Sequence, residues 1–419
     1  MANKDHSSLA ASRVRKLVLF LSIISGLVMA VLLIRSPSPK ATASMTSSSR
    51  ISAEGKPVLG QHSDNPRQKA NDTAAVEVCG YGKVPIDKGD AGAINRHVFG
   101  LAERNGARWL SAMQNSDDLR ARLAGLFLEG KVAVGDSLHP IAEQTRDAAV
   151  QLAAGTVDPA VYAIALSMCG TYAGTGTDAS CQQITLQRWA QLDPNNAVPW
   201  LLLAGHAHLR HNQADEAEAF SQAAKANKVD SYSDSLYAFA ESELPSDVTP
   251  LERSALAMEV IGVEAASWMP QYSIAIQHCS VEAMRDSSVQ QQCNSLAELF
   301  VTKATNLLDL STGKKIGARV GWPSERVSQL TQEQNALMEV TLQEAPSDNN
   351  DLWTCEGVSS FNAYTAQRKR VGEVGADRDL LERSGETVPE LAQKYAQYVE
   401  NLRRSAIRQE QDSPSGSAE

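Results

Sequence analysis

Apolar residues along this chain form one continuous run and then many short, periodic groups. The run spans Leu17–Ile34 without a charged residue and lies between Lys16 and Arg35. At about 1.5 Å of rise per residue, a helix of this length just crosses the hydrocarbon layer of a membrane. The run therefore predicts one transmembrane helix that follows a short cytoplasmic tail, residues 1–16.

A cleaved secretory signal is the alternative to a retained anchor. Such a signal has an apolar stretch of roughly 7 to 15 residues with a small-residue cleavage site close behind it. Here the sequence Ala41-Thr42-Ala43 lies well beyond Ile34, behind two prolines and two basic residues. The length of the run and this separation favour an anchor. Basic residues flank the run on both sides, so charge alone gives only a slight bias in orientation.

Beyond the run, apolar residues recur every three or four positions, which is typical of helices with one buried face. Two segments show the spacing clearly: Leu119, Leu123, Leu126 and Phe127, and Leu391, Tyr395, Tyr398 and Leu402. Capping sequences predict helix starts at Thr249-Pro250-Leu251-Glu252 and at Thr387-Val388-Pro389-Glu390. Because no period-two alternation is sustained, we expect an all-α body over residues 73–411, without strands.

Charge and composition narrow the class of protein. The chain has a net charge of −10 although its first 40 residues are basic, so the remainder carries about −15. An acidic body repels phosphate, and nucleic acid is therefore not an expected partner. Residues 35–72 and 412–419 contain few large apolar side chains, which predicts a flexible linker and a disordered tail.

The segment from Leu192 to Ala226 resembles a tetratricopeptide repeat. It begins with the junction Leu192-Asp-Pro-Asn-Asn196, continues with Trp200 in a first helix, and carries small residues in a second helix. Trp200 shares one face of the first helix with Leu203, Ala204, Ala207 and His208. The small residues of the second helix are Ala214, Ala217, Ser221 and Ala224. The resemblance implies stacked helical hairpins; the alternative is an irregular helical domain containing one such hairpin. The spacing from Trp200 to Ala217 exceeds the family's by one residue, so we expect an altered turn near His211.

Six cysteines follow the apolar run, and none is part of a Cys-x-x-Cys pair. Residues equally distant from the centre of a helical hairpin lie close together. Cys169 and Cys181 are centred on Thr175, and Cys279 and Cys293 on Asp286, so these spacings predict two short-range disulfides, with Cys79 and Cys355 left by elimination. Disulfides indicate an oxidising compartment; six buried thiols in a reducing compartment are the alternative. The chain contains, in order, Val78-Cys79-Gly80, the Asp-Pro-Asn-Asn junction and the cysteine-rich segments. This order is also similar to that of uncharacterised envelope proteins of proteobacteria, which implies an inner-membrane protein with a periplasmic domain.

Motifs for metal or cofactor binding are weak throughout. His206 and His208 point about 200° apart on a helix, so only His208 and His211 share a face, and two imidazoles are too few to hold a metal. Ser311-Thr-Gly-Lys-Lys315 lacks the first glycine of a phosphate loop and is interpreted as a helix end, with Gly313 as its C-cap. We therefore expect no metal site, no cofactor and no assigned catalytic residue.

Three functions are compatible with these features. The leading hypothesis is a membrane-tethered scaffold that binds a protein or peptide in a groove beside the helix of Trp200, with His208, Arg210 and His211 as contacts. An enzyme of unrecognised type is the alternative, and it requires acids such as Asp234 or Glu241 to converge on a pocket. A structural spacer within an envelope complex is the third.

Overall fold

The computed structural model describes residues 73–87, 93–132, 142–170, 179–266, 272–344 and 349–412. Helices dominate these residues, so the all-α class is correct for the body. In chain order the helices are α1 Ala93–Gln114, α2 Leu119–Val132, α3 Glu143–Ala154, α4 Pro159–Met168, α5 Leu186–Leu192, α6 Ala197–Leu209, α7 Gln213–Lys225, α8 Leu236–Ala240, α9 Pro250–Ala266, α10 Ser273–His278, α11 Ser287–Thr302, α12 Leu307–Arg319, α13 Ser324–Glu344, α14 Asn349–Leu352, α15 Cys355–Ser384 and α16 Val388–Asp412. Three single turns of 3-10 helix lie at Cys181–Gln183, Glu241–Glu243 and Ala283–Arg285.

The expectation that the body contains no strands is wrong. Strands β1 (Thr73–Val78) and β2 (Gly82–Asp87) pair antiparallel before α1. Gly80 and Gly82 adopt φ of 79° and 71° in the connecting turn, a region of backbone conformation that glycine enters without steric cost. An isolated two-stranded hairpin is marginal in water, so contacts with distant residues must hold it. Cys79 provides them, because its N–H donates to the carbonyl oxygen of Trp353 at 2.9 Å.

Both predicted capping boxes are confirmed. At the start of α9, the Glu252 carboxylate accepts hydrogen bonds from the N–H and the hydroxyl of Thr249, and the Glu252 N–H donates back to that hydroxyl. Glu390 accepts the equivalent two bonds from Thr387 at the start of α16. Asp158 caps α4 through the N–H of Ala160. Local signals of this kind depend on neighbours in sequence, so the sequence alone identifies them.

The helix end predicted around Gly313 is wrong. Residues 311–315 lie inside α12, and Gly313 is buried against α11. A Cβ built on Gly313 would lie 2.8 Å from the Cβ of Phe300 and 2.9 Å from the N of Val301. The glycine thus permits two helices to approach closely, a tertiary role that a sequence pattern does not distinguish from a C-cap.

Three disulfides join the six cysteines. The pairs are those inferred from spacing and elimination: Cys169–Cys181, Cys279–Cys293 and Cys79–Cys355, with Cα–Cα distances of 5.7, 5.7 and 4.6 Å. The surroundings of Cys279–Cys293 differ from the expected helical hairpin. Cys279 ends the short helix α10, and Asp286, the expected centre of a turn, is the N-cap of α11.

The apolar core is divided at a break in α15. Gly372 has φ 76° and ψ 174°, so the helix is interrupted there. Before the break, Val358 lies in the main core, which extends from β1 to α14. After it, Val374 lies in a smaller core that α13 shares with α11 and α12, and Leu380 lies in another that α13 shares with the start of α16. We refer to α13, residues 373–384 and α16 as the C-terminal unit.

Several predicted segments lie outside the described residues. These are the tail 1–16, the span Leu17–Ile34, the linker 35–72, the Thr175 turn, and 413–419, most of the predicted 412–419 tail; Asp412 itself ends α16. Within the residues that the structure does describe, no helix combines the length and the apolar character needed to cross a membrane.

Candidate functional site

The junction before α6 is held by a buried asparagine. Asn196 is fully buried, and its side-chain oxygen accepts the N–H groups of Val198 and Asp230 at 3.2 and 3.1 Å. Its amide nitrogen donates to Asp193 and to the carbonyl of Asp230 at 2.8 and 2.7 Å. Four hydrogen bonds satisfy this side chain completely, so the junction is tied to the chain that leaves α7. Burial raises the pKa of the nearby Asp230 carboxyl to about 6.

Helices α6 and α7 form a tightly packed hairpin whose turn is unusual. His211 has φ 56°, a left-handed conformation that is uncommon for residues other than glycine. The side chain of the next residue, Asn212, caps α7 by accepting the N–H of Asp215 at 3.2 Å. The positive φ makes this turn irregular, and His211 is exposed. The relation of the turn to the tetratricopeptide spacing stays a prediction.

An open pocket of about 350 Å³ lies at this end of the hairpin. Its lining comes from the end of α6, the turn, the first turns of α7 and the last residue of α10: His208, His211, Gln213, Glu216, Ala217 and His278. His208 lies with Nδ1 3.2 Å from each carboxylate oxygen of Glu216. That contact orients the ring and leaves its other nitrogen available to a ligand.

His278 closes the pocket from the side of α10. Its ring stacks on Phe220 of α7, with centroids 3.6 Å apart and planes 14° apart. Its Nε2 atom is buried without a hydrogen-bond partner. Burial lowers the pKa of this imidazole, so the neutral form is favoured.

The predicted contact residues separate into two groups. His208 and His211 are exposed and line the pocket together. Arg210 is exposed as the C-cap of α6, but it does not line the pocket. Sequence reasoning missed His278 and Glu216. His278 lies far along the chain without a local motif, whereas Glu216 shares a helical face with Phe220 and could have been found from that spacing.

The packing face of α7 is not the one that the repeat resemblance implies. Ala217, expected in the core, is exposed, and the buried residues of α7 are Ala219, Phe220 and Ala223. Helix α6 is buried along most of its length, from Ala197 to Ala207. Only its C-terminal end is open, so the expected groove along this helix is instead a pocket at its end.

Asp234 and Glu241, the acids of the enzyme hypothesis, do not line the His208 pocket. Glu241 forms ion pairs with Arg253 and Lys369 at 3.3 and 2.7 Å. Asp234 faces a cluster of buried carboxyls that includes Glu264, paired with Arg368 at 3.2 Å. Neither the His208 pocket nor the narrow cavity beside Phe127 borders that cluster.

Two further observations concern metal binding and similarity to known proteins. Throughout the described ranges, no group of three or more His, Cys, Asp or Glu side chains is placed to hold a metal ion. Comparison with models of known protein families, with curated proteins and with solved structures gave no match. The resemblance of residues 192–226 to a tetratricopeptide repeat therefore rests on those residues alone.

Proposed function

We propose that this chain is a membrane-tethered scaffold of the cell envelope, whose stacked helices bind a protein or peptide partner at the open end of the α6–α7 hairpin. The observation that carries the proposal is the pocket formed by His208, His211 and His278 on a rigid hairpin. Its wall offers imidazole rings, a carboxylate, a side-chain amide and the methyl group of Ala217, a mixture suited to an extended peptide or a loop. Leu209 beside it is 70% exposed, which adds an apolar contact.

Two features support the proposed compartment. The apolar run Leu17–Ile34 would anchor the chain in the inner membrane, and the three disulfides favour an oxidising environment beyond it. Together they support a periplasmic body with a cytoplasmic N-terminus. An acidic body gives no support to nucleic acid as a partner.

The test is a matched pair of triple variants in cells treated with a crosslinker. The first variant carries His208→Gln, Arg210→Gln and His211→Asn, where asparagine is chosen because it tolerates a positive φ. The control carries Lys394→Gln, Arg403→Gln and Arg404→Gln on the exposed side of α16. We expect the first variant to recover at least about fivefold less of its partner from membranes, equivalent to a loss of about 1 kcal/mol of binding free energy. Equal recovery from both variants would show that this pocket is not the binding surface.

A further inference from the structure

The break in α15 is surrounded by carboxyl groups from several elements. At the break, the N–H of Val374 donates to the carbonyl oxygen of Thr305 at 3.2 Å, and the Glu373 carboxylate accepts the N–H of Leu307 at 3.2 Å. The chain before α12 thus occupies the gap in the helix. The other charged groups around the break are Asp234, Glu264, Asp309, Glu333, Arg368 and Arg378.

Hydrogen bonds bridge the two halves of α15 at this point. The hydroxyl of Tyr364, before the break, donates to Asp377, after it, at 2.9 Å. Asp377 is 1% exposed and also contacts the side chain of Thr341 on α13. On α12, Asp309 is 1% exposed and accepts from the hydroxyl of Tyr272 at 2.9 Å. Asp377 and Glu373 therefore take part in docking the C-terminal unit on the main body, whereas Asp309 accepts hydrogen bonds from Tyr272 and Thr305 within the main body.

Charge within the cluster is unbalanced. Glu264 pairs with Arg368, and Arg378 pairs with Glu333, where Arg378 Nη2 lies 2.7 Å from the carboxylate. These pairs leave Asp309, Glu373 and Asp377 without a cation of their own among the described residues. Negative charges buried close together oppose the ionisation of each carboxyl in the cluster. Burial accordingly raises the pKa of both Asp309 and Asp377 to about 7 and raises that of Glu373, although Arg368 lowers the last.

The backbone at the junction between the two parts is suited to bending. Gly372, at the break, and Gly321, between α12 and α13, both have positive φ, of 76° and 87°. The chain thus enters the C-terminal unit first at Gly321, before α13, and a second time at Gly372, before residues 373–384. Apolar packing changes partners at the same place, because Val358 belongs to the main core whereas Val374 belongs to a smaller core that joins α13 to α11 and α12.

We propose that the α15 break is a pH-responsive hinge, which holds the C-terminal unit against the main body while the carboxyl cluster is protonated and loosens it when the cluster ionises. A solvated carboxyl has a pKa near 4. Above about pH 4, the open state, whose acids are solvated, therefore binds fewer protons than the closed state. Protons therefore favour closure. The stability of the closed state is fully present below about pH 4 and is lost as pH rises through about 7.

Hydrogen–deuterium exchange of the full-length chain tests this proposal, with rates corrected for the pH dependence of intrinsic exchange. At about pH 8, amides of α13 and α16 should exchange about tenfold faster than at about pH 5.5. This ratio corresponds to a difference of about one pKa unit between the closed and open states. Amides of the α6–α7 hairpin should keep their protection, which distinguishes hinge opening from global unfolding.

Matched variants identify the groups responsible. Glu373→Gln with Asp377→Asn should abolish the alkaline increase, whereas Asp379→Asn with Glu382→Gln, the same charge change on exposed or half-exposed positions of the same helix, should retain it. If the first double variant does not fold, Asp377→Asn alone should reduce the increase at least about threefold. An unchanged exchange rate in the wild type, or an equal increase in the wild type and the cluster variant, would overturn the proposal.

Discussion

At the scale of single residues, the alanines of α7 show how one extra residue changes which face is buried. From Trp200 to Ala217 the sequence is one residue longer than the tetratricopeptide spacing that it resembles, and one residue rotates a helix by about 100°. The expected stripe through Ala217 shifts by one position, so Glu216, Phe220 and Ala223 take its place. The same shift carries Gln213 and Glu216 to the pocket. The residue identities alone do not reveal this rotation, because alanine suits either face.

Two alanines of α7 provide a direct check of this rotation. Ala217 is exposed, so Ala217→Leu should change the free energy of unfolding by no more than about 0.5 kcal/mol. Ala219 is 5% exposed and packed in the main core, so Ala219→Leu should destabilise by about 1 to 3 kcal/mol through overpacking. Urea denaturation of both variants measures the difference. Equal destabilisation would mean that Ala217 packs in the core after all.

At the scale of elements, a second pair of substitutions separates a glycine required by packing from one that is not. Gly313→Ala would place a methyl group 2.8 Å from Phe300 Cβ and 2.9 Å from the backbone of Val301, so α11 and α12 must separate. We expect a loss of about 1 to 3 kcal/mol of stability. Gly262 lies in α9 with no atom within 4 Å of an added Cβ, and Gly262→Ala should stabilise by about 0.5 to 1 kcal/mol. Thermal denaturation of the two variants gives opposite shifts in midpoint, and shifts of the same sign would contradict this account.

The sequence predicted elements wherever local chemistry determines them and failed where distant contacts do. Thr249 and Thr387 identified helix starts because their capping partners lie three residues away. The β1–β2 hairpin was missed because its turn uses Gly80 and Gly82 rather than an Asn-Gly pair, and because its support comes from Trp353 and the Cys355 disulfide. Of the residues that line the pocket, His208 and His211 were singled out as contacts from the sequence, whereas His278 comes from α10, and the role of these residues in binding stays a prediction.

At the scale of the whole molecule, the disulfides differ in what they connect. Cys169–Cys181 and Cys279–Cys293 close segments of 12 and 14 positions, whereas Cys79–Cys355 spans 276. The short pairs stabilise single regions of the fold. The long pair joins the hairpin that begins the described body to the start of α15, on the main-body side of the Gly372 break. It therefore connects the two ends of the main core. Helix α13 lies inside the closed loop, whereas residues 373–384 and α16 lie outside it.

This difference in span predicts a difference in stability. A crosslink removes entropy from the unfolded chain in proportion to the logarithm of loop length, so Cys79→Ser with Cys355→Ser should cost about 3 kcal/mol more than Cys169→Ser with Cys181→Ser. Removal of Cys279 and Cys293 serves as the control and should match the other short pair within about 0.5 kcal/mol. Guanidinium denaturation without reductant measures all three variants. Because α16 follows the long loop in sequence, its hydrogen exchange at acid pH should remain that of the wild type when Cys79 and Cys355 are replaced, while amides of β1 and β2 lose protection. If the long-range pair costs no more than the short ones, the β1–β2 hairpin is held by its packing alone.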